Sequence, residues 1–372
     1  MPKKIIYIVS HVNKSLAFEW VVDYLDSNKF ELVFILMNPY PSTLEDYLVS
    51  RNIRVYRLNY RNKRDLINVV YNTFIILKKE AAQIVHAHLL DACLVGLIAA
   101  FLARVPRRIH TRHNSTFHHL FFPKAVWYDK LINALSTEIV SISDVVTKVL
   151  VEKEGVNISK IHLIHHGFVF EEPESISNER TSLLIQKYNL TPNDSPIIGV
   201  ISRFISWKGI QYIIPAFQEV LKIHTESVLV LANGQGSYER EIKKMLSVLP
   251  EKSYRVIVFE EDVFALYKLF DVFVHVPIDS NVEAFGQTYV ESLSMKVPSI
   301  FTLSGIANEF VRDRENAIVV DFKNTQEIYE AIEIILADNE LAIKLAFNGQ
   351  KEVCALFGID GMINKLEKLY ES

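Results

Sequence analysis

Short apolar runs of strand length alternate with helical patterns along the whole chain, and this rhythm restricts the fold more than any other feature. Residues 5–9, 31–36, 54–58, 84–86, 107–111 and 139–141 read as strands, and 16–25, 66–77, 92–103 and 144–151 carry helical spacing between them. Strands separated by helices cannot close as hairpins, so the pattern predicts a parallel sheet with helices on both faces. The polar, proline-bearing stretch 171–180 lacks apolar periodicity and reads as a linker. Strands then resume at 196–201, 228–231, 255–259, 272–275, 298–302 and 316–320, with helices at 210–223, 325–336, 341–357 and 361–370. The expected class is α/β, with two doubly wound, Rossmann-like domains whose ligands gather at the carboxyl ends of the strands.

The sharpest local signal is Glu283-Ala284-Phe285-Gly286-Gln287-Thr288-Tyr289-Val290-Glu291, two carboxylates bracketing seven residues. A loop holding Glu283 should lead into a helix that begins near Gly286 and carries Glu291, with a turn at Lys296-Val297 before the next strand. The free N–H groups at Gly286, Gln287 and Thr288 would suit an anion such as pyrophosphate, and a residue without Cβ lets a phosphate approach the main chain. Arg203 and Lys208 follow the strand at 196–201, and Lys208 precedes Gly209. Arg offers a planar fork and Lys a point charge, two kinds of cation that bind phosphate oxygens. Gly234-Gln235-Gly236 follows another strand, but Glu239 stands where a dinucleotide fingerprint needs its third glycine. His86-Ala87-His88 places two imidazoles on one strand face without the acids or cysteines of a metal site.

Together the two bracketed acids, the Arg-x4-Lys-Gly pair and the Val297-Pro298 strand resemble the E-x7-E signature of the retaining glycosyltransferases of family four, which have the GT-B architecture. The likeness covers most of the second half strongly and the first half loosely. It implies two domains facing a central cleft: 1–170 on the acceptor side, a linker at 171–187, a donor-binding domain at 188–357, and a helix at 358–372 that crosses back to the first domain. By resemblance Glu283 meets the donor sugar and Glu291 the ribose, Arg203 and Lys208 reach the pyrophosphate, and His113 contacts the sugar from the first domain. Gly234 matches the Gly-x-Gly turn found there in the family, and the base should lie near Glu261–Val263. Two departures stand out. The family's Gly-Gly pair is missing from Ser10-His11-Val12-Asn13-Lys14-Ser15, and His165-His166 replace the usual Pro-Asn before Gly167.

The implied activity is retaining, metal-independent transfer of a sugar from a nucleotide-diphosphate sugar, UDP- or GDP-linked, to a glycan or lipid-linked acceptor in cell-envelope polysaccharide synthesis. No cofactor or metal is expected. A hydrolysing nucleotide-sugar epimerase and a non-catalytic nucleotide-sugar-binding protein are the alternatives on the same architecture.

Composition agrees with a two-domain globular chain: 372 residues, 49% hydrophobic and 23% charged. Cys93 and Cys354 form no spacing motif, no signal peptide is evident, and the apolar run 92–103 is too short to span a bilayer, so a cytoplasmic protein, free or membrane-associated, is expected. The net charge of −4 divides unevenly: residues 1–170 carry 21 Lys+Arg against 14 Asp+Glu, and the remainder 19 against 30. A basic first half suits an anionic acceptor or the inner membrane surface, and no nucleic-acid partner is expected. The aromatic, Lys-flanked stretch 117–130 reads equally as an acceptor groove, a membrane contact or ordinary core.

Overall fold

The predicted apolar runs become strands because both faces of each sheet are covered, which leaves no reason for polar alternation. In the computed structural model, which describes residues 2–191 and 194–372, the chain divides into two units. One runs up to Val169 and takes back Phe357–Ser372; the other is Phe170–Leu356.

The first unit holds β1 (Lys3–Ser10), β2 (Phe30–Met37), β3 (Arg54–Leu58), β4 (Ile84–His88), β5 (Arg107–Arg112), β6 (Glu138–Ser141) and β7 (Ile161–Leu163). All pair in parallel, in the order β3-β2-β1-β4-β5-β6-β7. The second unit holds β8 (Ile197–Ile201), β9 (Val228–Ala232), β10 (Tyr254–Ile257), β11 (Val272–His275), β12 (Ser299–Phe301) and β13 (Ile318–Val319). Their order is β10-β9-β8-β11-β12-β13, again all parallel. Both sheets reverse their winding beside the first strand, at β1/β4 and at β8/β11. The loops leaving those strands diverge to opposite faces, and the crevice between them is where doubly wound sheets bind ligands.

Residues 171–187, expected to be a linker, are structured within the second unit. Pro173–Ser175 forms a 3₁₀ turn and Asn178–Lys187 a helix. Ser177 Oγ accepts from Arg180 N, Arg180 pairs with Asp262 and Glu171, and Lys268 Nζ donates to the carbonyls of Pro173 and Ile176. Ion pairs hold this helix, and Leu184 is its one buried residue, so apolar periodicity had nothing to report.

The final helix, Ile359–Glu371, packs on the first unit as expected. Ile359, Ile363, Leu366, Leu369 and Tyr370 join the core beside Ile5, Tyr7 and Phe34. Tyr370 Oη lies 2.6 Å from both Tyr7 Oη and His86 Nδ1, and His86 Nε2 lies 2.8 Å from Thr111 Oγ1. Lys3 and Arg107 bond the last carbonyls of the helix, where cations complement its dipole.

Candidate active site

The second unit's switch point gathers most of the expected residues, because Arg203 and Lys208 follow β8 while Glu283 and Gly286 follow β11. Two tight backbone approaches set this geometry. Gly209 has φ +80, and a Cβ there would fall 1.9 Å from the carbonyl oxygen of Val276, so the β8 turn can lie against the β11 exit only with glycine. Gly305 has φ +58, and its Cβ would meet Phe285 O at 2.7 Å and Glu283 Cβ at 2.8 Å. Around it, Ser304 Oγ donates to Asp279 O, Gly305 N to Ser280 O and Ile306 N to Phe285 O, which stitches the loop after β12 to the one carrying Glu283.

Glu283 is 6% exposed. Lys208 Nζ and His275 Nε2 both donate to its Oε1, the imidazole at 3.2 Å, while Oε2 makes no hydrogen bond among the described residues. Burial opposes its ionisation, but the charge of Lys208 and the hydrogen bond from His275 outweigh it and bring the carboxyl down to about 2. Burial also lowers the pKa of His275, which leaves a neutral ring whose Nε2 must carry the proton, since a carboxylate only accepts. Tyr289 meets that ring edge-on at 4.7 Å, and Phe273 lies parallel to it at 6.5 Å. Nothing in the sequence pattern singled out His275; a histidine within an apolar strand reads as core.

Glu291 lies on helix Gln287–Ser294 in an opposite condition. It is partly buried and accepts from Tyr267 Oη at 3.0 Å. Burial raises its pKa to about 7, only partly offset by that hydrogen bond. It shares no ion pair with Arg203 or Lys208 among the described residues; the connection is aromatic, since Tyr267 packs on Phe273 at 5.3 Å. Gly286 caps the helix at φ +88, and the amides of Gly286, Gln287 and Thr288 precede the first intrahelical bonds.

Arg203 is exposed at the end of β8 and makes no side-chain hydrogen bond or ion pair among the described residues. Its turn is tied to the Gly234 turn, where Phe204 N donates to Gln235 O and a Cβ on Gly234 would meet Val256 Cγ1 at 2.7 Å. Near the expected base position, Asp262 is engaged with Arg180, and Glu260 with Lys187 and Tyr188.

His113 belongs to the first unit, where its Nε2 lies 3.2 Å from His88 Nδ1 and its ring stacks on His166 at 5.6 Å. Burial lowers its pKa to about 4, so it is neutral near pH 7. It lines a cavity of about 260 Å³ together with Leu89, His110, Arg112, Phe117 and Asp129. Leu89, just after β4, has φ 70 and ψ 154, a region seldom entered by residues with a Cβ. In the first loop, His11 has φ 54 and takes the left-handed turn that a glycine would otherwise supply. His86 and His88 are engaged with Tyr370, Thr111 and His113. Among the described residues, no group of three or more His, Cys, Asp or Glu is placed to hold a metal ion.

Two family models match the chain: "Glycosyl transferases group 1" over residues 183–352 and "Glycosyltransferase Family 4" over residues 21–172. The capsular polysaccharide biosynthesis glycosyltransferase CapM of Staphylococcus aureus is 25% identical over 83% of this chain and 83% of its own length. An Escherichia coli UDP-Gal:alpha-D-GlcNAc-diphosphoundecaprenol alpha-1,3-galactosyltransferase is 22% identical over 94% of this chain and 90% of its own. Among solved structures, Anabaena HepE in complex with UDP and glucose superposes with a TM-score of 0.83 at 18% identity, covering 99% of both chains.

Proposed function

The chain belongs to the family 4 glycosyltransferases of GT-B type, and from that premise we propose that it moves a sugar, with retention, from a nucleotide-diphosphate sugar to a glycan or lipid-linked acceptor of the cell envelope. CapM and the E. coli enzyme, by name, act in capsule synthesis and on a diphosphoundecaprenol acceptor, and HepE was solved with UDP and glucose; these support the acceptor class and favour a uridine donor.

The observation that carries the reading is the asymmetric grip on Glu283. Its Oε1 is fixed by Lys208 and His275, and its Oε2 is left for a sugar hydroxyl. Arg203, exposed and without an ion pair among the described residues, and the amides at Gly286–Thr288 supply the positive field in which a diphosphate would sit. As the glycosidic C–O bond breaks, negative charge grows on the leaving phosphate. Cations fixed in place before that moment stabilise it without reorganising. In this reading Arg203 and Lys208 do the work of a divalent ion, and Glu291, poised near neutrality, takes the ribose hydroxyls. In this reading the acceptor binds the first unit at the cavity lined by His113, with peripheral contact at the inner membrane surface where the acceptor is lipid-linked.

Arg203→Ala is the clean test, because its side chain makes no hydrogen bond or ion pair among the described residues. Turnover of UDP- and GDP-sugars with a panel of acceptors should fall by about 10²-fold or more, in line with loss of a transition-state donor, while the melting temperature stays put. Glu283→Gln should bind nucleoside diphosphate yet lose turnover. Wild-type rates in both variants would refute the assignment. Nucleotide binding by the native protein without transfer to any acceptor would point to the non-catalytic alternative.

A further inference from the structure

Helix Ala125–Leu135 in the first unit is amphipathic the wrong way round. Its inward residues are Asp129, Ile132 and Asn133, whereas Trp127, Tyr128, Lys130 and Leu131 face solvent. The inner face is fixed by polar bonds: Arg112 lies 2.6 Å from both Asp129 and Glu154, His118 Nδ1 lies 2.7 Å from Asp129, and Asn133 Nδ2 donates to Glu154. With the polar side spent on Arg112, rotation cannot hide the apolar one. Trp127 is 78% exposed, and the preceding turn adds Leu120, Phe121 and Phe122, the last 55% exposed. Large apolar side chains exposed this close together along the chain are rarely left bare on a protein surface without a role.

Charge identifies the occupant. Lys124 and Lys130 flank the patch without ion pairs among the described residues, and Lys63, from the exposed Arg61-Asn62-Lys63-Arg64 turn, places its ammonium 4.8 Å over the Tyr128 ring. Between Asp91 and Asp129 the sequence contains no carboxylate, and Asp129 itself is buried. Aromatic and aliphatic side chains rimmed by unpaired lysines match the boundary of an anionic bilayer, where rings enter the headgroup layer and ammonium groups meet lipid phosphates. The patch is also continuous with the His113 cavity, since Phe117 lines that cavity and its ring lies 5.5 Å from Phe121 and 5.3 Å from Phe122.

We propose that the surface formed by Leu120–Lys124 and the Trp127–Leu131 face docks the protein on an anionic membrane and delivers a lipid-linked acceptor toward His113. The delivery rests on the lipid-linked reading above; the docking does not.

Flotation of the full chain with phosphatidylglycerol/phosphatidylcholine vesicles at low salt should recover it with the lipid, and phosphatidylcholine alone should not. Of the three tryptophans, the exposed Trp127 should shift its emission to the blue on binding, and Trp127→Phe should lose the shift but keep the flotation. Lys124→Glu with Lys130→Glu should weaken binding by about tenfold or more, and Phe122→Ser with Trp127→Ser should do the same at unchanged melting temperature. Wild-type flotation by both double variants, or none by the native protein, overturns the proposal. A dimer that dissociates in the Phe122/Trp127 variant, with no vesicle binding, would assign the patch to a second copy instead. Turnover of a water-soluble acceptor separates the two readings: unchanged in the docking variants, it leaves the transferase intact whatever the vesicles show.

Discussion

At the scale of single residues, the two acids that look alike in sequence differ in what protons do to them. Glu291 holds its proton more tightly folded than unfolded, because burial lifts it to about 7 from the ordinary 4.5. The native state therefore loses stability as pH rises from about 4.5 to about 7, and above that the full cost of a buried charge remains. Glu291→Gln should remove that cost, raising stability by about 2 kcal/mol above pH 7 and by little below pH 4.5. Melting curves of both proteins across that range check the sign; a gain greater at low pH would contradict it. Glu283 runs the other way. Its contribution is present above about pH 4.5 and is lost as pH falls through about 2. His275 supplies the complementary test. His275→Phe keeps the ring among Phe273 and Tyr289 but removes the donor to Glu283, so kcat should fall about 10- to 100-fold at unchanged nucleoside-diphosphate affinity. His275→Gln, which restores an N–H at similar reach, should recover much of it; equal losses in both variants would mean that the ring only packs.

At the scale of elements, legibility followed burial. The strands were visible because β8, β9 and β11 are buried throughout and leave unbroken apolar runs. Arg203, Lys208, Glu283 and Gly286 were visible as a pattern, yet the strand order that brings two loops to one crevice is a long-range property that local spacing does not encode. Among the helices that escaped, two share a reason: polar partners, not an apolar stripe, hold them. Asn178–Lys187 is fastened through Arg180 and Lys187, and Ala125–Leu135 through Asp129 and Asn133, so periodicity was silent on one and ambiguous on the other. His275 was missed because its role depends on the loop at Glu283 returning beneath it, which only Gly305 and Ser304 make possible.

At the scale of the molecule, the first unit is built from both ends of the chain. Ending the protein at Leu356 would remove Ile359, Ile363, Leu366, Leu369 and Tyr370 from its core and uncover Tyr7 and Phe34. At about 1.5–3 kcal/mol for each buried side chain, the loss rivals the whole stability of a domain. The truncated chain should show limited proteolysis confined to the first unit, with residues 170–356 surviving as a resistant fragment; uniform resistance would mean that the last helix is dispensable. The same arrangement dictates an order of events on the ribosome. Residues 1–169 must wait, their sheet lacking one cover, until residues 357–372 leave the exit tunnel, whereas residues 170–356 are made beforehand. The unit that starts first along the chain is thus the one that can be completed last.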